Sequence, residues 1–187
     1  MGAFEYLSVL ISIIIGLAIT QLLTGFRGLL LARDRVRPYW PALVWAIVIL
    51  MVSVQTWWSM FGLGDLKHWD FANFAIVLAQ TIVLYMVAGL ALPDPSAEGH
   101  IDLREHYYAH RRVFFGTLVA LVGVSLAKDV IIHGYLPDKA NFAFQAAFAV
   151  GAAGGVATSQ EWYHRIAAPI GLVAFSAYIA LLFSQLS

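Results

Sequence analysis

The sequence contains no cysteine. Disulfides, thiolate nucleophiles and iron–sulfur clusters are therefore excluded, and thiol usage says nothing about compartment. Charge is scarce as well. Only 12% of the 187 residues are Asp, Glu, Lys or Arg, against about 25% in a water-soluble domain. Eleven basic and eleven acidic residues cancel. That leaves neither the basic footprint of a nucleic-acid binder nor an acidic tail, so no nucleic-acid partner is expected. The first charge is Glu5 and the first basic residue Arg27, so the start does not read as a secretory signal. Tyr6 stands where a myristoylation motif needs Ser or Thr. A Gly-rich phosphate loop and a nucleophile elbow are both missing. The acids near the third and fifth connectors (Asp94, Glu98, Asp102, Glu105, Glu161) could serve a membrane hydrolase or transferase. Acids in connectors are more often simply solvated, and an enzyme is not the favoured reading.

What the chain has in abundance is apolar residues, 61% of the total. A surface so poor in charge must be solvated by lipid. A spanning helix needs about 20 uncharged residues, because the hydrocarbon core is about 30 Å thick and each residue rises 1.5 Å. Tyr6–Phe26, Tyr39–Gly64, Phe71–Pro93, Ala140–Gln160 and Ile166–Ser187 meet this requirement. A sixth run, Val113–Ala127, is short and meets Lys128-Asp129 before Val130–Ile132. One helix running through these charges keeps its neighbours facing the correct way. The expectation is an all-α integral membrane bundle forming one domain, 1–187, with six transmembrane helices near 4–31, 39–64, 71–92, 103–133, 140–160 and 162–186.

The connectors predict orientation. Basic residues stay on the cytoplasmic side because carrying them across the membrane during insertion is disfavoured. Connectors one, three and five hold Arg27, Arg33, Arg35, Arg37, Arg104, Arg111, Arg112 and Arg165, while two and four hold Lys67, Lys128 and Lys139. Both termini are therefore expected outside. Tyr39, Trp40, Tyr107, Tyr108, Trp162 and Tyr163 would form an inner aromatic belt, and Tyr6, Trp57, Trp58, Trp69 and Tyr135 an outer one. Leu92-Pro93-Asp94-Pro95 stops the third helix, and Asp102-Leu103-Arg104-Glu105 has the capping-box pattern that starts the fourth. Asp70-Phe71-Ala72-Asn73-Phe74-Ala75 and Asp138-Lys139-Ala140-Asn141-Phe142-Ala143 are alike. They read either as a parallel repeat of helical hairpins or as shared capping chemistry.

The opening Phe4-Glu5-Tyr6-Leu7-Ser8-Val9-Leu10-Ile11-Ser12, with Gly16-Leu17-Ala18-Ile19-Thr20-Gln21-Leu22-Leu23, resembles small bacterial polytopic membrane proteins of unassigned activity. Asp102-Leu103-Arg104, Tyr108, His110-Arg111-Arg112 and Phe114-Phe115 share that likeness. The resemblance covers a minority of the chain. It implies a bacterial inner (plasma) membrane location and carries over no functional residue.

Several groups of residues could carry chemistry. Gln21, Gln55, Gln80 and Gln145 lie in four different helices. An amide cannot face lipid cheaply, so these are pore or cavity candidates, with helix-to-helix bonding as the plain alternative. Lys128, Asp129 and Glu5 would sit towards an outer mouth, though Lys128 can also snorkel to the headgroups. Ala143, Ala147, Gly151, Gly155 and Ser159 form a small-residue stripe that predicts close helix packing. His106 and His110, one turn apart, could share a metal ion with His164, or two facing histidines could hold haem. None of the six histidines falls mid-helix, and no cofactor is expected. The functions in play are an oligomeric channel or transporter for a small ion or solute, a non-catalytic scaffold or accessory subunit, and a metal- or haem-binding membrane protein. Lipid and further copies of the chain are the expected partners.

Overall fold

Within hydrocarbon every backbone donor and acceptor must be satisfied inside the chain, and an uncharged run of spanning length does this as an α-helix. The computed structural model describes residues 3–66, 69–94 and 100–182. Lys67, His68 and the expected end of the sixth helix, 183–186, lie outside them. The helices are α1 (Ala3–Leu31), α2 (Trp40–Ser59), α3 (Phe71–Ala91), α4 (Leu103–His133), α5 (Lys139–Ala157) and α6 (Glu161–Leu182). A 3-10 stretch, Met60–Asp65, prolongs α2. Among the described residues six helices are long and apolar enough to cross a membrane. The protein is an all-α integral membrane bundle.

The helix ends follow their local chemistry. Pro41 occupies the first turn of α2, where its missing N–H costs nothing. Asp70 Oδ1 accepts from the Asn73 N–H at 2.8 Å. Asp102 Oδ1 accepts from the N–H groups of Arg104 and Glu105 at 2.8 and 3.0 Å. Asp138 caps α5 through the N–H groups of Ala140 and Asn141. Each such cap contributes about 1 kcal/mol. α4 runs unbroken through Lys128-Asp129 and stops at Gly134, whose φ of 81° is the left-handed conformation glycine tolerates best. The two similar hexapeptides thus both open with a capping Asp. Beyond the caps the hairpins differ, because α3 packs along α4 whereas α5 and α6 part around an apolar groove.

Around the bundle the helices neighbour one another in the order α1, α3, α4, α5, α6, α2 and back to α1, with α2 also against α3. Connectors one, three and five share one end. There β1 (Val36–Arg37) pairs in parallel with β2 (Ile101–Asp102), and Arg104 meets Glu161 at 3.1 Å. The other end is closed by Ile11, Ile15, Met60, Leu63 and Val77, with Phe4 and Trp69 packed around them. At the centre, Trp45 of α2 meets Phe115 edge-on at 5.2 Å and Phe114 and Phe148 at 6.2 Å.

The small-residue stripe needs correcting. A row at four-residue spacing drifts about 40° per step on a helix of 3.6 residues per turn, so five positions cannot share a face. Gly155 is buried under Phe115, whereas Ala143, Ala147 and Gly151 are exposed. α5 also ends at Ala157, so Ser159 lies beyond the helix. The row that faces the bundle is Gln145, Phe148, Ala152 and Gly155. Arg165, read as a connector residue, sits inside α6.

Candidate intramembrane chamber

Three of the four glutamines converge. Gln55 of α2, Gln80 of α3 and Gln145 of α5 line one half-open chamber of about 70 Å³, together with Thr56, Ser125 and Tyr178. Five helices contribute, and the apolar part of the wall includes Leu118, Phe144 and Phe148. One side of the wall is internally bonded. Gln145 Nε2 donates to Asn141 Oδ1 at 3.0 Å, and the Tyr178 hydroxyl donates to the same oxygen at 2.9 Å. The amides of Gln55 and Gln80 have no such partner among the described residues, although Gln80 is only 8% exposed.

The other expected site residues fall elsewhere. Gln21 is exposed on α1 and donates to the Tyr85 hydroxyl at 3.1 Å, so it ties α1 to α3. Glu5 is in the exposed first turn of α1, where its carbonyl accepts from Ser8 Oγ at 3.0 Å. Lys128 and Asp129 pair with each other at 3.9 Å, their side chains 16% and 17% exposed, and among the described residues neither bonds another helix. Asp129 follows Ser125 by one turn of α4, which places it on the chamber's side of that helix. The polar groups that sequence reasoning missed are Thr56, Ser125, Asn141 and Tyr178. Asn141 had a usable signal: it stands four residues before Gln145, where two side chains on a helix meet.

Among the described residues the histidines do not form a ligand set. The His106 and His110 rings lie 4.5 Å apart between centres, tilted by 36° to each other. His164 is fully buried on α6 with both ring nitrogens engaged. Its Nε2 is 3.0 Å from the Thr158 carbonyl, which can only accept, so Nε2 carries the proton. Nδ1 then accepts from the Tyr107 hydroxyl at 2.9 Å. Tyr107 is 100° around α4 from His106, so the two rings serve different faces. Among the described residues no three metal-binding side chains converge. The expected His106/His110/His164 grouping is thereby corrected, and His164 is equally committed against a haem.

The Tyr107–His164 pair belongs to a polar layer at the β1–β2 end. Arg111, buried beside it, holds the end of α5. Its Nη1 lies 3.1, 2.8 and 2.9 Å from the carbonyl oxygens of Gly155, Val156 and Thr158. These are carbonyls that the helix end leaves unpaired. Between this layer and the chamber lies Phe115, 5.6 Å from the His164 ring and edge-on to Trp45.

No known protein family, curated protein or solved structure matches this chain.

An open depression of about 530 Å³ lies further out at the same end. Most of its charges are paired: Arg37 with Asp102 at 3.4 Å, and Arg104 and Arg165 with Glu161 at 3.1 and 2.9 Å, with Glu105 as the sixth charged side chain. Backbone donation, first from the Glu105 N–H, holds the Asp102 carboxyl below its usual range. The cap is therefore intact above the ordinary carboxylate range and is released as pH falls through the lowered value. Burial, and then the bond to the Tyr108 hydroxyl at 3.2 Å, push Tyr39 upward, so its phenol stays protonated. The depression joins connector one, α4 and α6 without presenting a net charge.

Proposed function

We propose that the bundle is a channel or carrier for a small polar solute, with the chamber between Gln55, Gln80 and Gln145 as its binding station. The observation that carries this reading is the convergence of three amides from three helices at one place inside a membrane-spanning bundle. A carboxamide without a hydrogen-bonding partner in an apolar setting costs about 1–3 kcal/mol by mutational measure. Gln55 and Gln80 gain no bond to protein that would offset this, so their stabilising partner is water or a solute. If the glutamines only joined helices, each would bond across to a neighbour, as Gln21 does with Tyr85. The proposed setting is a bacterial inner membrane with both termini outside. Support comes from the basic residues gathered at the β1–β2 end.

The absence of native cysteine makes the test direct. Ser125→Cys, in the chamber wall, is expected to react with a small water-soluble thiol reagent, because the reacting thiolate forms only where water reaches it. Val173→Cys, which is 69% exposed on the outer face of α6, is expected to stay unlabelled in lipid. Equal labelling of both, or of neither, would overturn the assignment. For topology, Asp34→Cys should label from the cytoplasmic side and Tyr135→Cys from the other. Labelling of both from one side ends the six-span arrangement.

A further inference from the structure

We infer that the chamber selects an uncharged solute of about four heavy atoms that both donates and accepts hydrogen bonds, the chemical class of urea, formamide and the smallest polyols. This rests on the route proposed above and names what the route takes. The size follows from the volume. About 70 Å³ compares with about 10–15 Å³ for each water by the same kind of measure, so the chamber holds about five to seven waters or one such solute.

The exclusion of ions follows from the wall. Its polar groups are carboxamides and hydroxyls, and none bears a charge. Ion-selective sites replace the lost hydration shell with rings of backbone carbonyls or charged side chains. Here the wall is built from helices, whose carbonyls are bonded along their own axes, so no such ring is offered. The nearest charges along α4, Lys128 and Asp129, face each other at 3.9 Å and cancel. An ion would leave water for a site with a few neutral dipoles and several aromatic rings, which is strongly unfavourable.

The same wall suits a neutral hydrogen-bonding solute. Each free carboxamide presents one carbonyl oxygen and one NH2 group, so Gln55 and Gln80 together supply both kinds of partner. Thr56, Ser125 and Tyr178 add hydroxyls that can act either way. Phe144, Phe148 and Phe175 supply apolar wall against which the rest of such a solute can pack. A solute lacking the polar groups would leave the amides unpaired, and this is how a polar site discriminates most strongly.

The test is flux into proteoliposomes of the purified full chain, with urea and glycerol as neutral probes and potassium chloride as the ionic one. Urea is expected to enter faster than into protein-free vesicles, while potassium and chloride do not. Gln80→Leu should lower urea flux roughly tenfold or more, since one partner of a buried polar solute is lost. Gln55→Leu, at a half-buried position, serves if Gln80→Leu does not fold. Gln21→Leu, away from the chamber, should leave urea flux unchanged. Potassium or chloride flux equal to that of urea, and lost in Gln80→Leu, would overturn the neutral class while leaving the route in place. Urea flux indifferent to both chamber variants would overturn the chamber assignment. No flux of any probe would overturn the route itself.

Discussion

Replacing Arg111 by Ala is expected to cost about 3 kcal/mol or more, since a hydrogen bond to a charged group is worth about 1.5–3 kcal/mol. One guanidinium nitrogen serves three carbonyls at the end of α5, and among the described residues no other side chain bonds the Gly155 and Val156 oxygens, while the Thr158 oxygen also accepts from His164. Truncation removes the donor and leaves the carbonyls buried against Phe115 and α4. The variant should unfold at lower temperature in detergent, and α5 should be the first element to lose protection from hydrogen exchange. Arg111→Lys should fall between, because a shorter point charge reaches fewer acceptors. Arg112→Ala, one residue on and exposed, should change stability by no more than about 0.5 kcal/mol. If Arg111→Ala melts with the parent, water reaches the end of α5 and the layer is not sealed.

Gly155→Leu and Gly151→Leu are expected to act in opposite directions. A Cβ at 155 would stand 2.7 Å from the Phe115 ring, and Phe115 is fully buried with no room to withdraw. Overpacking by even a few methylenes costs about 1–3 kcal/mol, and a whole leucine at this contact belongs at or above the upper limit. At 151 a Cβ meets nothing within 4 Å. There the change should be neutral or stabilising by up to about 1 kcal/mol, the difference in helix propensity. Size-exclusion profiles and melting of the two purified variants read the contrast. Equal damage from both would mean that the exposed face of α5 is covered by another helix.

Much of the fold is legible because it is decided locally. Run length against membrane thickness predicts six spans, and α4 continues through Lys128-Asp129 as expected. The capping aspartates at 70, 102 and 138 act where the spacing places them. The candidate site is legible only in kind. An amide in a spanning helix must turn from lipid, and that much applies equally to Gln21, Gln55, Gln80 and Gln145. Which of them meet depends on a helix order, α1-α3-α4-α5-α6-α2, that does not follow the chain. Gln21 found Tyr85 on its flank instead, while Thr56, Ser125 and Tyr178 joined the chamber from three helices.

The stripe on α5 and the three histidines show the same division. Spacing along one helix reports which residues share a face, but not what that face meets. Gly155 is essential to packing because Phe115 lies over it, and Gly151, four residues earlier, is not. His164 looks available for a ligand until Tyr107 and Thr158 take both its nitrogens. By itself the sequence determined the membrane as solvent, the number of helices fit to span it, and the need for polar groups to turn inward. These follow from backbone hydrogen bonding and transfer energies that act residue by residue. Only the tertiary structure decided which inward groups share a chamber. Between helices in lipid, contact is chosen by shape and by hydrogen-bond pairing across the bundle, and neither is encoded in the period of any single helix.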